Sequence, residues 1–273
     1  MQPWDRRAAE SERRLPQLGQ NVVVTITAAI VNQKGGVGKT TVTLGLASAA
    51  AAQGRRVLVV DLDPQGASTW VLGADLSQSS RSAADLFDKA SLDEAVVRSG
   101  WAPNVTVVPA SRRLQDHEDG KPRRVRSALH ASEHAAHADL ILLDCPPSLG
   151  NVTRAALTAA DKALIVVEPS VLGLRGLGAV ADVVDDVWDR LHPDLDLAGV
   201  IVNRVPAVSS EADRRVEELT RIVGREAVWR PFVPQRVVVA QAQTERRPIH
   251  SYGSRAGDLI GVFDALWNRL RRS

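Results

Sequence analysis

Apolar segments and amphipathic segments alternate along most of the chain. Apolar, β-branched segments predict strands at Val22–Val31, Val57–Asp61, Val105–Val108, Leu140–Asp144, Ala163–Val167 and Leu197–Asn203. Apolar positions at helical spacing predict helices at Thr40–Gln53, Arg123–His137, Leu174–Leu191 and Glu211–Val223. Several strands are almost continuously apolar, which is typical of strands covered on both faces. The pattern therefore predicts an α/β fold, in which a mostly parallel, twisted sheet has helices on both faces.

Residues 1–20 differ from the rest of the chain because they are polar and show no sustained periodicity. We expect a flexible N-terminal extension there, followed by a single domain over residues 21–273. A length of 273 residues with 44% hydrophobic residues is enough for one well-packed core. Neither a secretory signal nor a run of about 18–20 apolar residues is present, and the single cysteine excludes an intramolecular disulfide. We expect a cytoplasmic protein.

A glycine-rich turn lies between the first predicted strand and the first predicted helix. It reads Val31-Asn32-Gln33-Lys34-Gly35-Gly36-Val37-Gly38-Lys39-Thr40-Thr41. The glycines let consecutive backbone N–H groups point at phosphate oxygens, and the helix N-terminus adds partial positive charge. Lys39 is placed to reach β- and γ-phosphates, and the Thr40 hydroxyl to bind Mg²⁺. The turn predicts a P-loop that binds a nucleotide through Lys34, Gly35, Gly36, Val37, Gly38, Lys39, Thr40 and Thr41.

The second and fourth predicted strands both end in carboxylates. Asp61 and Asp63 are two residues apart and therefore point the same way from a strand end. Asp144 ends a strand of four apolar residues, the arrangement of a Walker B motif, and is expected to bind Mg²⁺. A helix-capping or turn role is the alternative for Asp63. Cys145 is expected to be a packing residue, because no basic partner that would stabilise its thiolate is evident.

Lys34 is unusual, because an ordinary P-loop has no lysine at that position. Lysine is also rare in this chain, with five among 34 basic residues: Lys34, Lys39, Lys89, Lys121 and Lys162. Lys-Gly-Gly-Val-Gly-Lys-Thr-Thr resembles the deviant Walker A motif of the ParA/MinD ATPases. Asp-Leu-Asp-Pro-Gln-Gly and Asp-Cys-Pro-Pro-Ser-Leu-Gly resemble further motifs of that family. The resemblance extends from about residue 28 to the C-terminal helix and implies the family's P-loop fold.

The resemblance implies a role for each of these residues. Lys34, Lys39 and Asp63 would be catalytic, with Lys34 crossing a dimer interface to the phosphates of the partner's nucleotide. Asp63 would position the attacking water, since phosphoryl transfer depends mainly on positioning and charge stabilisation. Thr40, Asp61 and Asp144 would form the Mg²⁺ site, where Asp61 also supports the switch region. ATP and Mg²⁺ are the expected cofactors.

Two later segments resemble the family's base-binding elements. Val-Ile-Val-Asn-Arg looks like the strand whose asparagine, here Asn203, reads the adenine edge beside Arg204. The segment around Pro234 resembles the loop that packs on the base. Val-Pro-Gln-Arg-Val-Val, followed by Gln241, departs from the Ile-Pro-Arg-Asn-Val-Arg and Glu-Ala of chromosomal partition proteins. This departure favours a plasmid-type or orphan member of the family.

Positive charge collects in the last quarter of the chain. Residues 211–273 contain twelve arginines, no lysine and eight acidic residues, although the net charge of the whole chain is only +2. Arginine suits phosphate contacts because of its bidentate fork. A solvated, salt-bridged surface is the alternative for each residue. The candidate DNA contacts are Arg214, Arg215, Arg221, Arg225, Arg230, Arg236, Arg246, Arg247 and Arg255.

The resemblance implies a partition ATPase that forms a homodimer when ATP is bound and then binds double-stranded DNA without sequence preference. A ParB-type centromere-binding partner would stimulate hydrolysis and release, segregating plasmid or chromosomal DNA on the bacterial nucleoid. The alternative is a MinD-like ATPase that positions a protein assembly at the membrane through an amphipathic C-terminal helix. Core packing explains the same apolar stripe, so a membrane partner is not expected. His130, His134 and His137 share a helical spacing but lack the context of a metal site.

Overall fold

The structure is a computed structural model, and it describes residues 25–117 and 120–273. Within these residues one sheet is formed by the strands β1 (Ile26–Val31), β2 (Val57–Asp61), β3 (Val97–Arg98), β4 (Val105–Val108), β5 (Leu140–Asp144), β6 (Lys162–Val167), β7 (Asp196–Val202) and β8 (Val228–Trp229). The strand order is β3-β4-β2-β5-β1-β6-β7-β8, and β3 is antiparallel to β4, whereas the other pairs are parallel. The predicted extension at residues 1–20 and the predicted strand residues 22–24 lie outside the described residues.

Helices cover both faces of the sheet. They are α1 (Lys39–Ala52), α2 (Ala67–Val71), α3 (Leu92–Ala95), α4 (Arg124–His130), α5 (Glu133–His137), α6 (Asn151–Ala159), α7 (Val171–Arg175), α8 (Leu177–Arg190), α9 (Ser210–Val223), α10 (Val237–Thr244) and α11 (Gly257–Leu270). Short 3₁₀ turns lie at Leu76–Gln78, Ala83–Leu86, Arg112–His117 and Ile249–Ala256. The predicted fold class, a mostly parallel sheet between two helical layers, is confirmed.

The alternation of side chains along each strand divides the core into two halves. In β1, Ala28 and Ile30 face the half that contains α1 and α11, whereas Ala29 and Val31 face the half that contains α6, α8 and α9. These four residues are fully buried, as the continuously apolar sequence of the strand predicted. Because the central strands are parallel, their carboxyl ends meet at one edge, where the predicted phosphate and carboxylate residues collect.

Two predicted helices are each interrupted. The prediction of one helix over Arg123–His137 is wrong, because Ser132 adopts an extended conformation and caps α5 by accepting a hydrogen bond from Ala135 N at 3.0 Å. Its hydroxyl also donates to Asp93 Oδ1, a contact across the fold that the local pattern does not contain. Leu174–Leu191 likewise divides into α7 and α8 at Gly176.

The C-terminal helix α11 packs its apolar stripe against α1. Leu259, Phe263, Leu266 and Leu270 are each at most 1% exposed. The stripe is therefore core, as one of the two sequence interpretations expected, and in this arrangement it is covered by protein. No helix among the described residues has the length and apolarity required to cross a bilayer.

Gly45 sets how closely α1 and α11 approach each other. A Cβ built at Gly45 would overlap the ring of Phe263, whereas a Cβ built at Gly261, in α11 itself, has no atom within 4 Å. We expect Gly45→Ala to lower the free energy of unfolding by about 1–3 kcal/mol, because the buried ring of Phe263 would have to shift away from the added methyl group. Gly261→Ala should instead raise it by about 0.5–1 kcal/mol through helix propensity. Chemical denaturation of both variants measures these changes, and equal stabilities would contradict the packing argument.

Candidate nucleotide and metal site

The phosphate loop connects β1 to α1 at the carboxyl edge of the sheet. Gly36 and Gly38 have φ angles of 79° and 90°, a left-handed conformation that favours glycine. A Cβ at Gly38 would also overlap the side-chain amide of Asn203, so this position has no room for a side chain. Lys39 begins α1 and is 6% exposed, with Nζ 3.4 Å from Lys34 O. Burial lowers the pKa of Lys39, while Asp144 pulls it upward.

Two buried asparagines hold the loop in place, one at the start of the loop itself and one just after β7. Asn32 Nδ2 donates to Val166 O at 2.6 Å, and Asn32 Oδ1 accepts from Lys34 N at 2.9 Å. Asn203 Nδ2 donates to Val37 O at 2.8 Å. Asn203 was predicted to read the base, and the structure places it directly against the phosphate loop. Asn32 was not singled out from the sequence, although it lies inside the motif.

The carboxylates of Asp61 and Asp144 come from adjacent strands in register, and both are fully buried. Asp144 Oδ2 accepts from Thr40 Oγ1 at 2.8 Å and from Ser68 Oγ at 2.6 Å, and Asp144 Oδ1 accepts from Thr43 Oγ1 at 3.2 Å. Burial raises the pKa of Asp144. The predicted pair of Thr40 and Asp144 is therefore in direct contact, supported by two hydroxyls that the sequence analysis missed.

Asp61 contacts the loop that follows its own strand. Its Oδ2 accepts from both the backbone N and the Oγ1 of Thr69 at 2.7 Å, and its Oδ1 accepts from Asp63 N at 3.2 Å. Burial, together with the neighbouring Asp144, raises the pKa of Asp61 to about 7. Both oxygens are engaged by the segment over residues 63–69, and none of these hydrogen bonds is to Thr40.

The donor set fits a magnesium ion. Two buried carboxylates end adjacent strands and accept hydrogen bonds from hydroxyl groups, and burial is the main cause of their raised pKa values. Carboxylate and hydroxyl oxygens are ligands that Mg²⁺ accepts, usually together with substrate phosphates. Thr40 and Asp144 are the residues that would hold it. No cluster of three or more His, Cys, Asp or Glu ligands occurs in the described part of the chain.

Asp63 lies in a tight turn at the mouth of the site and is half-buried. Its Oδ1 accepts from Gln65 N at 2.9 Å, and its carbonyl accepts from Gly66 N at 2.9 Å. The turn role that was the alternative for Asp63 is thus present for one oxygen. The other oxygen, Oδ2, has no hydrogen-bond partner among the described residues, so it remains accessible to a substrate or water.

Cys145 follows Asp144 and is 1% exposed. Burial, reinforced by the negative charge of Asp144, raises the pKa of its thiol far above the ordinary value. The thiol therefore stays protonated and packs, as expected. The three histidines do not converge either: His134 Nε2 is 2.9 Å from Thr106 Oγ1, and His137 Nδ1 is 2.6 Å from Glu133 O.

At the rim of the site, the carboxylate of Glu168 contacts two cations. Lys34 Nζ lies 3.3 Å from Glu168 Oε2, and Arg204 Nη1 lies 2.9 Å from Glu168 Oε1. Arg204 follows Asn203 and has a φ of 57°, an uncommon conformation for a residue with a side chain. Glu168 was not identified from the sequence, since nothing in its neighbourhood resembles a motif.

The two segments that resemble base-binding elements are neighbours in the structure. Val205 and Pro234 form a parallel β-bridge, and Val205 N donates to Val233 O at 3.0 Å. Asn203, Arg204 and Pro234 are therefore brought to the same end of the sheet as the phosphate loop. Gln243 of the following helix α10 donates to Thr41 Oγ1 at 3.2 Å, which attaches this region to α1.

Eight of the nine candidate DNA-binding arginines fall into two groups, and the ninth, Arg214, is exposed on α9. The first group is engaged within the protein. It consists of Arg215 with Glu211 and Glu218, Arg236 with Asp258, Arg247 with Glu245, Arg255 with Gln241, and Arg246 over the ring of Trp70. Arg215, Arg236 and Arg247 form salt bridges, as the alternative for each residue expected, whereas Arg255 and Arg246 contact neutral groups.

The second group lines one groove between α9 and β8, at the open edge of the sheet. Arg221, Arg225 and Arg230 surround a space of about 490 Å³, together with Val216 and Val228. Among the described residues, none of these three arginines forms a salt bridge with an acid, although Arg230 lies over the ring of Phe232, with its Cζ 4.3 Å from the ring centroid. One glutamate, Glu217, also lines the groove. The groove is therefore basic on balance.

Comparisons with known proteins extend the resemblance. A family model described as an AAA domain matches residues 25–197. The sporulation initiation inhibitor protein Soj of Bacillus subtilis is 34% identical over 235 residues, which cover 84% of this chain and 91% of Soj. The chromosome partitioning protein ParA of Caulobacter vibrioides is 32% identical over 231 residues, covering 82% of this chain and 86% of that protein.

A solved structure gives the same result for the fold. The structure described as cobyrinic acid a,c-diamide synthase from Mycobacterium smegmatis, with bound ATP analog and magnesium, has a TM-score of 0.71 and 32% identity. The match covers 81% of this chain and 92% of that one. These similarities confirm the predicted family and the predicted ATPase activity. With both sequence and fold matched over most of its length, the chain belongs to the ParA/MinD family of ATPases.

Proposed function

We propose that this ATPase is a partition protein that binds ATP with Mg²⁺, forms a homodimer around two nucleotides and then binds double-stranded DNA without sequence preference. The observation that carries the proposal is that two lysines of one loop differ in position and exposure. Lys39 is buried inside the site, whereas Lys34 is at the rim, with a third of its side chain exposed. A rim lysine is suited to reach a nucleotide held by a second copy of the chain.

Within one protomer, the P-loop backbone and Lys39 bind the β- and γ-phosphates. When bound, Mg²⁺ would supply positive charge that neutralises the phosphates and polarises the transferred group. Thr40 and Asp144 are the residues that would hold it. The free oxygen of Asp63 orients the attacking water, and Asp61 keeps the Asp63 turn in place through its hydrogen bonds. Two face-to-face nucleotides repel each other, and a Lys34 from each protomer offsets that charge.

Similarity to Soj and to chromosome partitioning ParA supports the biological role. A ParB-type, centromere-bound partner stimulates hydrolysis and thereby releases the dimer from DNA, which moves plasmid or chromosomal cargo. The protein acts on the nucleoid of a bacterial cell. The buried stripe of α11 gives no support to the MinD-like alternative of membrane attachment.

The groove lined by Arg221, Arg225 and Arg230 is the proposed DNA contact, because its guanidinium groups are not neutralised by acids. Dimerisation would present two grooves at once, and bivalent binding strengthens weak contacts without any new interaction. Arginines that already pair with glutamates, such as Arg215, would have to give up these partners in order to bind phosphate.

We therefore expect the triple change of Arg221, Arg225 and Arg230 to Gln to weaken DNA binding by the ATP-bound protein at least about tenfold. The slope of log affinity against log salt should fall by about 2–3 per protomer, since each lost phosphate contact lowers it by nearly one. Fluorescence anisotropy with random-sequence duplex DNA measures both quantities. Arg215→Gln is the matched control and should change little. DNA binding of equal strength with and without ATP would contradict the proposed function.

A further inference from the structure

The Glu168 clamp, formed by Lys34, Glu168 and Arg204, lies at the rim of the nucleotide site. Its three residues come from the phosphate loop, the end of β6 and the end of β7. One carboxylate is shared between two cations, one on each oxygen, so Lys34 is held within its own protomer. The side chains are between 21% and 51% exposed, which places the clamp where a partner or a nucleotide can reach it.

The clamp competes with the role proposed for Lys34. An ammonium group bound to a carboxylate of its own chain has to leave it before it contacts phosphate on another chain. A triphosphate carries several negative charges and outcompetes a single carboxylate at similar distance. Without the partner's nucleotide, the lysine returns to Glu168. The contact therefore favours the separated protomer without preventing assembly.

Arg204 weakens the contact between Lys34 and Glu168, because it binds the other oxygen of the same carboxylate. Arg204 has a left-handed backbone conformation. The preceding residue, Asn203, donates a hydrogen bond to Val37 O and so attaches this segment to the phosphate loop. The strained conformation persists while the surrounding contacts support it. Lys34, Arg204 and the loop thus form one connected unit at the rim.

We propose that Glu168 is a positioning residue for Lys34. Glu168 holds the lysine in the separated protomer and thereby weakens the ATP-bound dimer. This inference rests on the proposed function, because it takes Lys34 to act across a dimer interface. A half-exposed ion pair changes an equilibrium by a factor of about 1.5–5. Two clamps are released for each dimer, so the effect on dimerisation is roughly 2- to 30-fold.

The contact itself is tested without nucleotide, by acylating lysines and following each site by mass spectrometry. With five lysines in the chain, each is resolved, and Lys162 is an internal reference because it pairs with Asp196 at 3.2 Å. Glu168→Gln should label at Lys34 about 1.5- to 5-fold faster than wild type, relative to Lys162. Arg204→Asn, which leaves the whole carboxylate to Lys34, should label more slowly than wild type. Unchanged labelling of Lys34 in both variants would overturn the proposal.

The consequence is tested by sedimentation of the full chain with ATP and Mg²⁺. Glu168→Gln should lower the dimer dissociation constant roughly 2- to 30-fold. Glu168→Asp, which keeps the charge, should stay closer to wild type, so a merely structural effect of replacing the side chain is separated from the effect of charge. Faster labelling without a tighter dimer would overturn the role of the clamp. If wild type forms no ATP-dependent dimer at all, the proposed function fails, whereas the labelling result still reports the contact.

Discussion

Lys34→Ala is expected to abolish the ATP-dependent dimer while single protomers still bind ATP. Each dimer would lose two contacts between an ammonium group and the partner's phosphates. Truncating one member of a desolvated charge pair costs about 2–5 kcal/mol, so the dimer dissociation constant should rise by at least about 10³-fold. Binding within one protomer depends instead on the loop backbone and on Lys39, both of which remain.

Analytical ultracentrifugation measures the dimer, and a fluorescent ATP analogue measures binding by the protomer. Lys162→Ala is the matched control, because it also removes an ion-paired lysine, at the start of β6 and outside the site. A Lys34→Ala protein that dimerises like wild type would exclude the cross-interface role. The dimer dissociation constant is expected to rise in Lys34→Ala and to fall in Glu168→Gln. The two variants therefore distinguish the loss of the contact across the interface from the loss of the contact between Lys34 and Glu168.

Asp63→Ala is expected to reduce ATP hydrolysis by about 10²- to 10⁴-fold while the ATP-bound dimer persists. The loss is in the range of a side chain that orients or deprotonates a reacting group. Asp63 Oδ2 is the atom assigned to the water, and Oδ1 already accepts from Gln65 N. Because the nucleotide contacts are intact, the variant should remain bound to DNA for longer than wild type. Phosphate release and DNA dissociation rates measure the two effects.

Asp75 forms a similar turn, so Asp75→Ala is a control for the effect that losing a turn hydrogen bond has on ATP hydrolysis. Its Oδ1 accepts from Ser77 N at 3.1 Å, the same two-residue spacing as in the Asp63 turn. Asp75→Ala should therefore hydrolyse ATP at the wild-type rate. Asp63→Asn retains an oxygen for the turn but is a poor base, and should be nearly as slow as Asp63→Ala. Wild-type turnover in Asp63→Ala would refute the water-positioning role.

The sequence determined six of the eight strands and the chemical character of the site, because both depend on local information. The two-residue edge strands β3 and β8 are too short to show such a pattern and were missed. Continuous apolar runs specify strands buried on both faces, and the loop from Lys34 to Thr41 contains its own lysines, glycines and hydroxyls. Asp61 and Asp144 end neighbouring strands, so parallel pairing alone brings them together. The break at Ser132 was missed, since its hydroxyl also bonds Asp93, a residue 39 positions away.

Only the tertiary structure decided which partners each polar side chain has. Ser68 meets Asp144 across 76 residues of sequence, and Glu168 meets Lys34 across 134. The same holds for the arginines: composition marks the last quarter as basic, but the fold leaves Arg221, Arg225 and Arg230 unneutralised around one groove. Pairing depends on distances of a few ångströms between segments that the chain keeps far apart, and no local pattern records such distances.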